Sequence, residues 1–223
     1  MILKNRLFQR AKPSRNAKVF YIFCEGRSRE YDYFNYFREL DSRISLEIIK
    51  PETDDNNSPE GLYLKACSFI IKTEQNPSPK YELLDFDEVW FVIDTDKWGN
   101  KIDNLRSNCK ANKDHSEWHV AQSNPCFEVW LYYHIKEDKP IFDNIDISKE
   151  WKSFVNNAIA GGFDSRKHPI FIGRAINNAK NNHSEKNGKI EIACTEVFKL
   201  AENIFPFIES KIEEGLKQIE NKQ

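Results

Sequence analysis

No stretch of this chain approaches the roughly 18 consecutive apolar residues of a membrane-spanning helix, and Ile2, Leu3, Leu7 and Phe8 are too sparse for a secretory signal. A soluble, cytoplasmic protein without a membrane partner is expected. C-x-x-C pairs are also missing. The five cysteines, at 24, 67, 109, 126 and 194, are odd in number and lie mostly in apolar surroundings, which argues for reduced core thiols rather than disulfides or structural zinc. Net charge is nearly absent: 33 Lys and Arg against 35 Asp and Glu leave −2, so any contact with a polyanion must use local patches. No internal repeat or low-complexity tract is present.

What is present suffices for a core. The chain has 223 residues and 13% aromatics, including 16 Phe, which fits one α/β domain with a helical appendage. Charge is unevenly placed: Lys4, Arg6, Arg10, Lys12, Arg15 and Lys18 occur with no acidic residue among them. Residues 1–17 are therefore expected to form a mobile basic arm, 18–136 an α/β domain, and 137–223 a helical C-terminal part packed on it. The arm would add salt-sensitive attraction to nucleic acid, although basic termini often do nothing specific.

Lys18–Cys24 and Glu88–Asp94 are short, apolar apart from the charged residues at their ends and rich in β-branched and aromatic residues, as in strands buried on both faces. Ser45–Lys50 and Glu117–Gln122 read as further strands. Helices are predicted over Arg29–Leu40, where Glu30, Tyr33, Phe34, Phe37 and Leu40 recur at helical spacing, and over Ser58–Thr73, Asn100–Asn112 and Phe127–Ile135. This alternation argues for a largely parallel sheet flanked by helices. Beyond Lys136 only helices are expected, Ser148–Ala160, Pro169–Asn182 and Thr195–Ile219, with the last broken at Pro206 and a flexible loop over Lys180–Lys189.

In parallel sheets ligands gather beyond the carboxyl ends of the strands. The first strand ends in Cys24-Glu25-Gly26 and the central one in Asp94-Thr95-Asp96, which would put three carboxylates at one edge if the two strands are neighbours. Such a cluster suits Mg²⁺ and phosphoryl or phosphodiester chemistry, whereas zinc would want His or Cys. A second D-x-D, Asp85 and Asp87, precedes the central strand and reads as solubilising loop. Ser123-Asn-Pro-Cys-Phe-Glu128 follows a strand and opens a helix, so Glu128 either joins the acidic set or complements the helix dipole.

Taken together, Glu25-Gly26, the apolar strand ending in Asp94-x-Asp96, and S-N-P-C-F-E-x-W-L-x-x-H over 123–134 resemble the RloB-like family, which is Toprim-related. The resemblance covers roughly residues 17–135 and continues more weakly through Gly173–Lys180 and Thr195–Leu200. It implies a Toprim-like fold and a metal-dependent nuclease of antiphage defence. Asp94 and Asp96 would hold Mg²⁺ or Mn²⁺, Glu25 would share the metal or act as general acid/base, and Glu128 would be an additional acidic member. Nucleic acid is the implied partner, with DNA, tRNA or other RNA and a nucleotide all open, and there is room for a partner ATPase or another defence protein. Two departures stand out: Arg29 where a Thr commonly precedes the second Glu, with Ser28 as a partial substitute, and Ala193-Cys194 where the family often shows Asn-Pro-Ser ahead of Thr195.

Arg27, Ser28, Lys97, Lys101 and Asn124 lie beside the acidic edge as candidate substrate contacts, against the ordinary reading of solvated side chains. His115 and His119, four apart on or beside a strand, do not share a helical face. His134 either packs in its apolar helix or orients Glu128. Trp90, Trp130, Phe127, Phe34 and Phe37 are expected in the core.

Overall fold

Four parallel strands form the frame: β1 (Lys18–Cys24), β2 (Ile44–Ile49), β3 (Glu88–Asp94) and β4 (Glu117–Asn124). The computed structural model describes residues 7–53, 56–95, 98–112, 117–141 and 147–221, with the side chains of 147–149 left aside. Between the strands run α1 (Arg29–Asn35), α2 (Pro59–Ile70) and α3 (Lys101–Ala111). After β4 come α4 (Glu128–Tyr132), α5 (Ile147–Ala158), a 3₁₀ turn at His168–Phe171 and α6 (Ile172–Asn181). Strands β5 (Glu185–Lys186), β6 (Lys189–Ile190) and β7 (Cys194–Thr195) then lead into α7 (Val197–Glu220). The sheet order is β2-β1-β3-β4-β7, with only β7 antiparallel.

Because side chains alternate along a strand, β1 and β3 feed two separate cores. Phe20, Ile22, Trp90 and Val92 pack against α1, α4 and the C-terminal helices, while Tyr21, Phe23, Phe91 and Ile93 pack against α2 and α3. The mostly parallel sheet flanked by helices expected from the sequence is thus observed. Trp90, Trp130, Phe127, Phe34 and Phe37 are all buried. The first core joins residues from both sides of position 136, Trp130 and Tyr133 with Trp151, Ile176 and Leu200.

Several elements differ from expectation. The first helix stops at Asn35 and the chain turns through Glu39, at φ 59°. The helix from 127 to 135 is reduced to Glu128–Tyr132. Beyond 136 there are strands as well as helices: Asn187 and Gly188, at φ 53° and 72°, make the two-residue turn of the β5–β6 hairpin where a flexible loop was expected. The last helix runs unbroken through Pro206, which is exposed, so the carbonyl it leaves without a partner lies on the solvent side while Ile204, Ile208 and Ile212 stay buried. The basic arm is docked from Leu7 onward. Phe8 meets Tyr36 edge-on at 5.9 Å, and Ala11 and Ser14 donate to the carbonyls of Glu39 and Ser42, both at 2.7 Å. Phe8 fits because Gly215 of α7 has no side chain; a Cβ there would stand 2.7 Å from the ring.

Candidate functional site

From β1 the chain runs to β2 on one side, then crosses to β3 on the other side of β1, so the β1/β3 boundary is the point where the winding reverses. Crevices form at the carboxyl ends of strands at such a point. The β1–β3 register pairs Cys24 with Val92, and Glu25 prolongs the ladder by donating its N–H to the Val92 carbonyl at 3.0 Å. Its side chain therefore reaches the end of β3, where Oε2 accepts from Asp94 N at 2.8 Å and Oε1 from Trp98 Nε1 at 2.9 Å. Asp94 Oδ1 in turn accepts from Phe127 N at 2.8 Å, fixing the start of α4 and bringing Glu128 to the same place. Glu30, at the start of α1, folds back so that Oε1 accepts from Gly26 N at 3.2 Å.

Glu25, Glu30, Asp94 and Glu128 border one cavity of about 310 Å³, together with Gly26, Arg27, Arg29, Asn57 and Lys152. Glu25, Glu30 and Glu128 are 7%, 5% and 4% exposed, so three carboxylates face the cavity with little water of their own. Burial pushes the Glu30 carboxyl from the ordinary 4.5 to about 7, with the Glu128 and Glu25 charges adding to the rise. Asp94 is held well above the carboxylate range, first by burial and then by Glu25, Glu30 and Glu128, with Lys152 opposing. Burial and the mutual proximity of the acids both oppose ionisation in the cluster.

Of the residues singled out in the sequence, the fold brings Glu25, Asp94 and Glu128 together, with Arg27 and Ser28 on the cavity wall. Arg27 is exposed and donates from Nη2 to the Thr53 carbonyl at 2.6 Å. Asp96 and Lys97 lie outside the described residues. Asn124 faces elsewhere: its Nδ2 donates to the Ile190 carbonyl at 2.9 Å, tying β4 to the hairpin. Lys101 is exposed at the start of α3, its Nζ 5.4 Å from the centre of the Trp98 ring. Asp87 is a buried structural cap rather than solubilising loop, accepting from Val19 N at 2.8 Å and Leu84 N at 3.0 Å, whereas Asp85 is exposed.

His115 lies outside the described residues, and His119 stacks on Trp90 at 4.4 Å. His134 is fully buried, and burial lowers its pKa to about 3. Its Nδ1 can only donate to the Trp130 carbonyl at 3.0 Å, so Nε2 accepts from Tyr33 OH at 3.1 Å. With both nitrogens used, His134 packs α4 against α1, the first of its two readings.

Glu30, Trp98 and Lys152 are cavity or cluster neighbours that the sequence reading passes over. Glu30 left a signal there: it occupies a position on the otherwise apolar stripe of α1, where an acid would be costly without a purpose. Lys152 left none. Among the described residues no group of three or more His, Cys, Asp or Glu is placed to hold a metal ion, and no helix is long and apolar enough to cross a membrane. No curated protein and no solved structure matches the chain. The family model described as RloB-like protein matches residues 20–204, a span that runs from within β1 through the acidic cavity to the first turns of α7, and the chain therefore belongs to the RloB-like family.

Proposed function

We propose that this protein is a divalent-metal-dependent nuclease of Toprim type that acts in antiphage defence. The observation that carries the reading is the convergence of Glu25, Glu30, Asp94 and Glu128, from three separate chain segments, on one cavity at the β1/β3 crossing. The donor set is chemically suited to Mg²⁺ or Mn²⁺: it is acidic, offers only oxygen, and contains neither His nor a thiolate. Asp94 and Asp96 would hold the ion with Glu25 sharing it. When bound, a divalent ion neutralises phosphate charge and makes a water more acidic.

The chain's own groups supply the rest. Asp94 N and Trp98 Nε1 orient Glu25, and Phe127 N orients Asp94, so both carboxylates are held without relying on a ligand. Glu30, with a pKa of about 7, can take or return a proton at its carboxylate near neutral pH, which is what a general acid/base at a scissile phosphate requires. Arg27, Arg29 and Lys152 on the cavity wall offer positive charge to the flanking phosphates of DNA or RNA.

Two observations favour a second reading. Both Glu25 oxygens are engaged within the chain, and no described trio of ligands is assembled, as would suit a nucleic-acid or nucleotide binding module that becomes competent only within a defence complex. Plasmid DNA, single strands and total tRNA, incubated with Mg²⁺ or Mn²⁺, separate the two. The nuclease reading expects cleavage that drops at least about a hundredfold in Asp94→Ala and Glu25→Ala. Metal binding with no turnover on any of these substrates favours the module, and undiminished cleavage by Asp94→Ala removes this cavity from the chemistry.

A further inference from the structure

The Thr195–Leu200 segment, weakly similar to its family at the sequence level, leads in the fold to Thr95, at the end of β3. Strand β7 pairs with the end of β4, Thr195 opposite Ser123, and their hydroxyls bond at 2.7 Å in a fully buried position. The next residue, Glu196, is 3% exposed. Its carboxylate takes Lys199 Nζ at 2.7 Å and the Arg106 guanidinium, which hold its pKa down despite burial. Glu196 N donates to the Gln122 carbonyl at 2.7 Å, and Gln122 N returns a bond to Glu196 Oε2 at 3.3 Å.

From here the polarity of every bond is determined. Arg106 has only donors, so its Nη2 must meet Gln122 Oε1, at 2.9 Å. That turns Gln122 Nε2 toward Thr95, where it donates to Oγ1 at 2.8 Å. The Thr95 hydroxyl must then give its own proton to the Ser123 carbonyl, also at 2.8 Å. Thr95 N is shared between the carbonyls of Ser123 and Pro125, at 2.9 and 3.0 Å. The residue between the two aspartates is thus clamped through its side chain and its backbone, and the side-chain clamp traces back to Glu196.

We infer that Glu196, Arg106, Gln122 and Thr95 form a positioning relay by which the C-terminal segment holds Thr95, and through it the adjoining Asp94 at the end of β3, for metal binding. The inference rests on the metal reading of the cavity and adds the residues that hold its ligands in place. None of the four touches the cavity itself; they act through Thr95 and are positioning residues.

Calorimetric titration of Mn²⁺ alone into the full chain tests it, with unfolding in EDTA measured in parallel. Thr95→Val keeps the shape and removes the hydroxyl, and Gln122→Glu keeps the Arg106 partner while losing the donor to Thr95. Both are expected to weaken Mn²⁺ binding about tenfold, the usual cost of disturbing a group that orients a metal ligand, with little change in the EDTA midpoint. Thr95→Ser restores the hydroxyl and is expected to bind as wild type does. Wild-type affinity in Thr95→Val and Gln122→Glu, or an equal loss in Thr95→Ser, overturns the relay. Should Thr95→Val not fold, Gln122→Glu decides by the same criterion. Asp94→Asn distinguishes the failures: if it binds Mn²⁺ as wild type does, the metal reading falls and the relay with it. If only Asp94→Asn loses binding, the relay alone is wrong.

Discussion

Replacing Glu30 by glutamine removes one charge from the acidic cavity while keeping an oxygen for Gly26 N. In the folded protein the Glu30 carboxyl titrates near 7 instead of 4.5 because burial and the neighbouring carboxylates oppose its ionisation. The native state therefore holds a proton that the unfolded chain releases between those values, and stability falls as pH rises through that window. A shift of this size corresponds to about 3 kcal/mol once the group is fully ionised. Glu30→Gln should then be more stable than wild type by up to about 3 kcal/mol at pH 8, and by less than about 1 kcal/mol at pH 5. Loss of the Glu30 charge also eases Asp94, which adds in the same direction. For a chain of this length the pH 8 gain amounts to roughly 6 to 12 °C in melting temperature. Urea unfolding in EDTA at both pH values reads it directly. Equal stability of the two proteins at pH 8, or the same difference at pH 5 and pH 8, would refute the reasoning that burial beside the other carboxylates opposes the ionisation of Glu30.

Three further outcomes follow from the same contacts. Gly26→Ala would place a Cβ 2.7 Å from Glu30 Cδ, so the carboxylate must leave its seat; metal affinity and any cleavage should drop at least about tenfold, and an unchanged Mn²⁺ titration would contradict this. Trp98→Phe removes the indole donor to Glu25, a bond to a charged group worth about 1.5–3 kcal/mol, and urea unfolding should show most of that loss, whereas an unaltered midpoint would mean the bond is not made in solution. His134, held neutral down to about pH 3, opposes folding once the unfolded chain takes up its proton below 6.5, which costs about 2 kcal/mol at pH 5. His134→Gln should flatten stability between pH 7 and pH 5 in the Glu30→Gln background; a persistent fall on acidification would assign it to another group.

Much of the frame is legible in the sequence. Two strands apolar on both faces, each ending in acid, announce a parallel sheet with chemistry at its carboxyl edge, because buried strands need no wet face and carboxylates need a reason to follow them. Spacing could not show that β1 and β3 are neighbours, since strand order is a long-range property, and the convergence of Glu25 on Asp94 depends on it. Glu30 was visible only as a member of a helical stripe; its role emerges from the turn that swings α1 back toward Gly26. The β5–β6 hairpin was hidden by a polar composition that suggests a loop, although Asn187-Gly188 is a strong two-residue turn signal. β7, at two residues, is too short for any periodicity, and with it the route from Glu196 to Thr95.

The convergence of these acids on one divalent ion is tested most directly by diffraction from crystals of the full chain soaked in Mn²⁺, collected at the manganese absorption edge. The account predicts an anomalous peak in the cavity lined by Glu25, Glu30, Asp94 and Glu128, lost in Asp94→Asn. Crystals that bind no Mn²⁺ there, or bind it only at a place remote from these carboxylates, would contradict it.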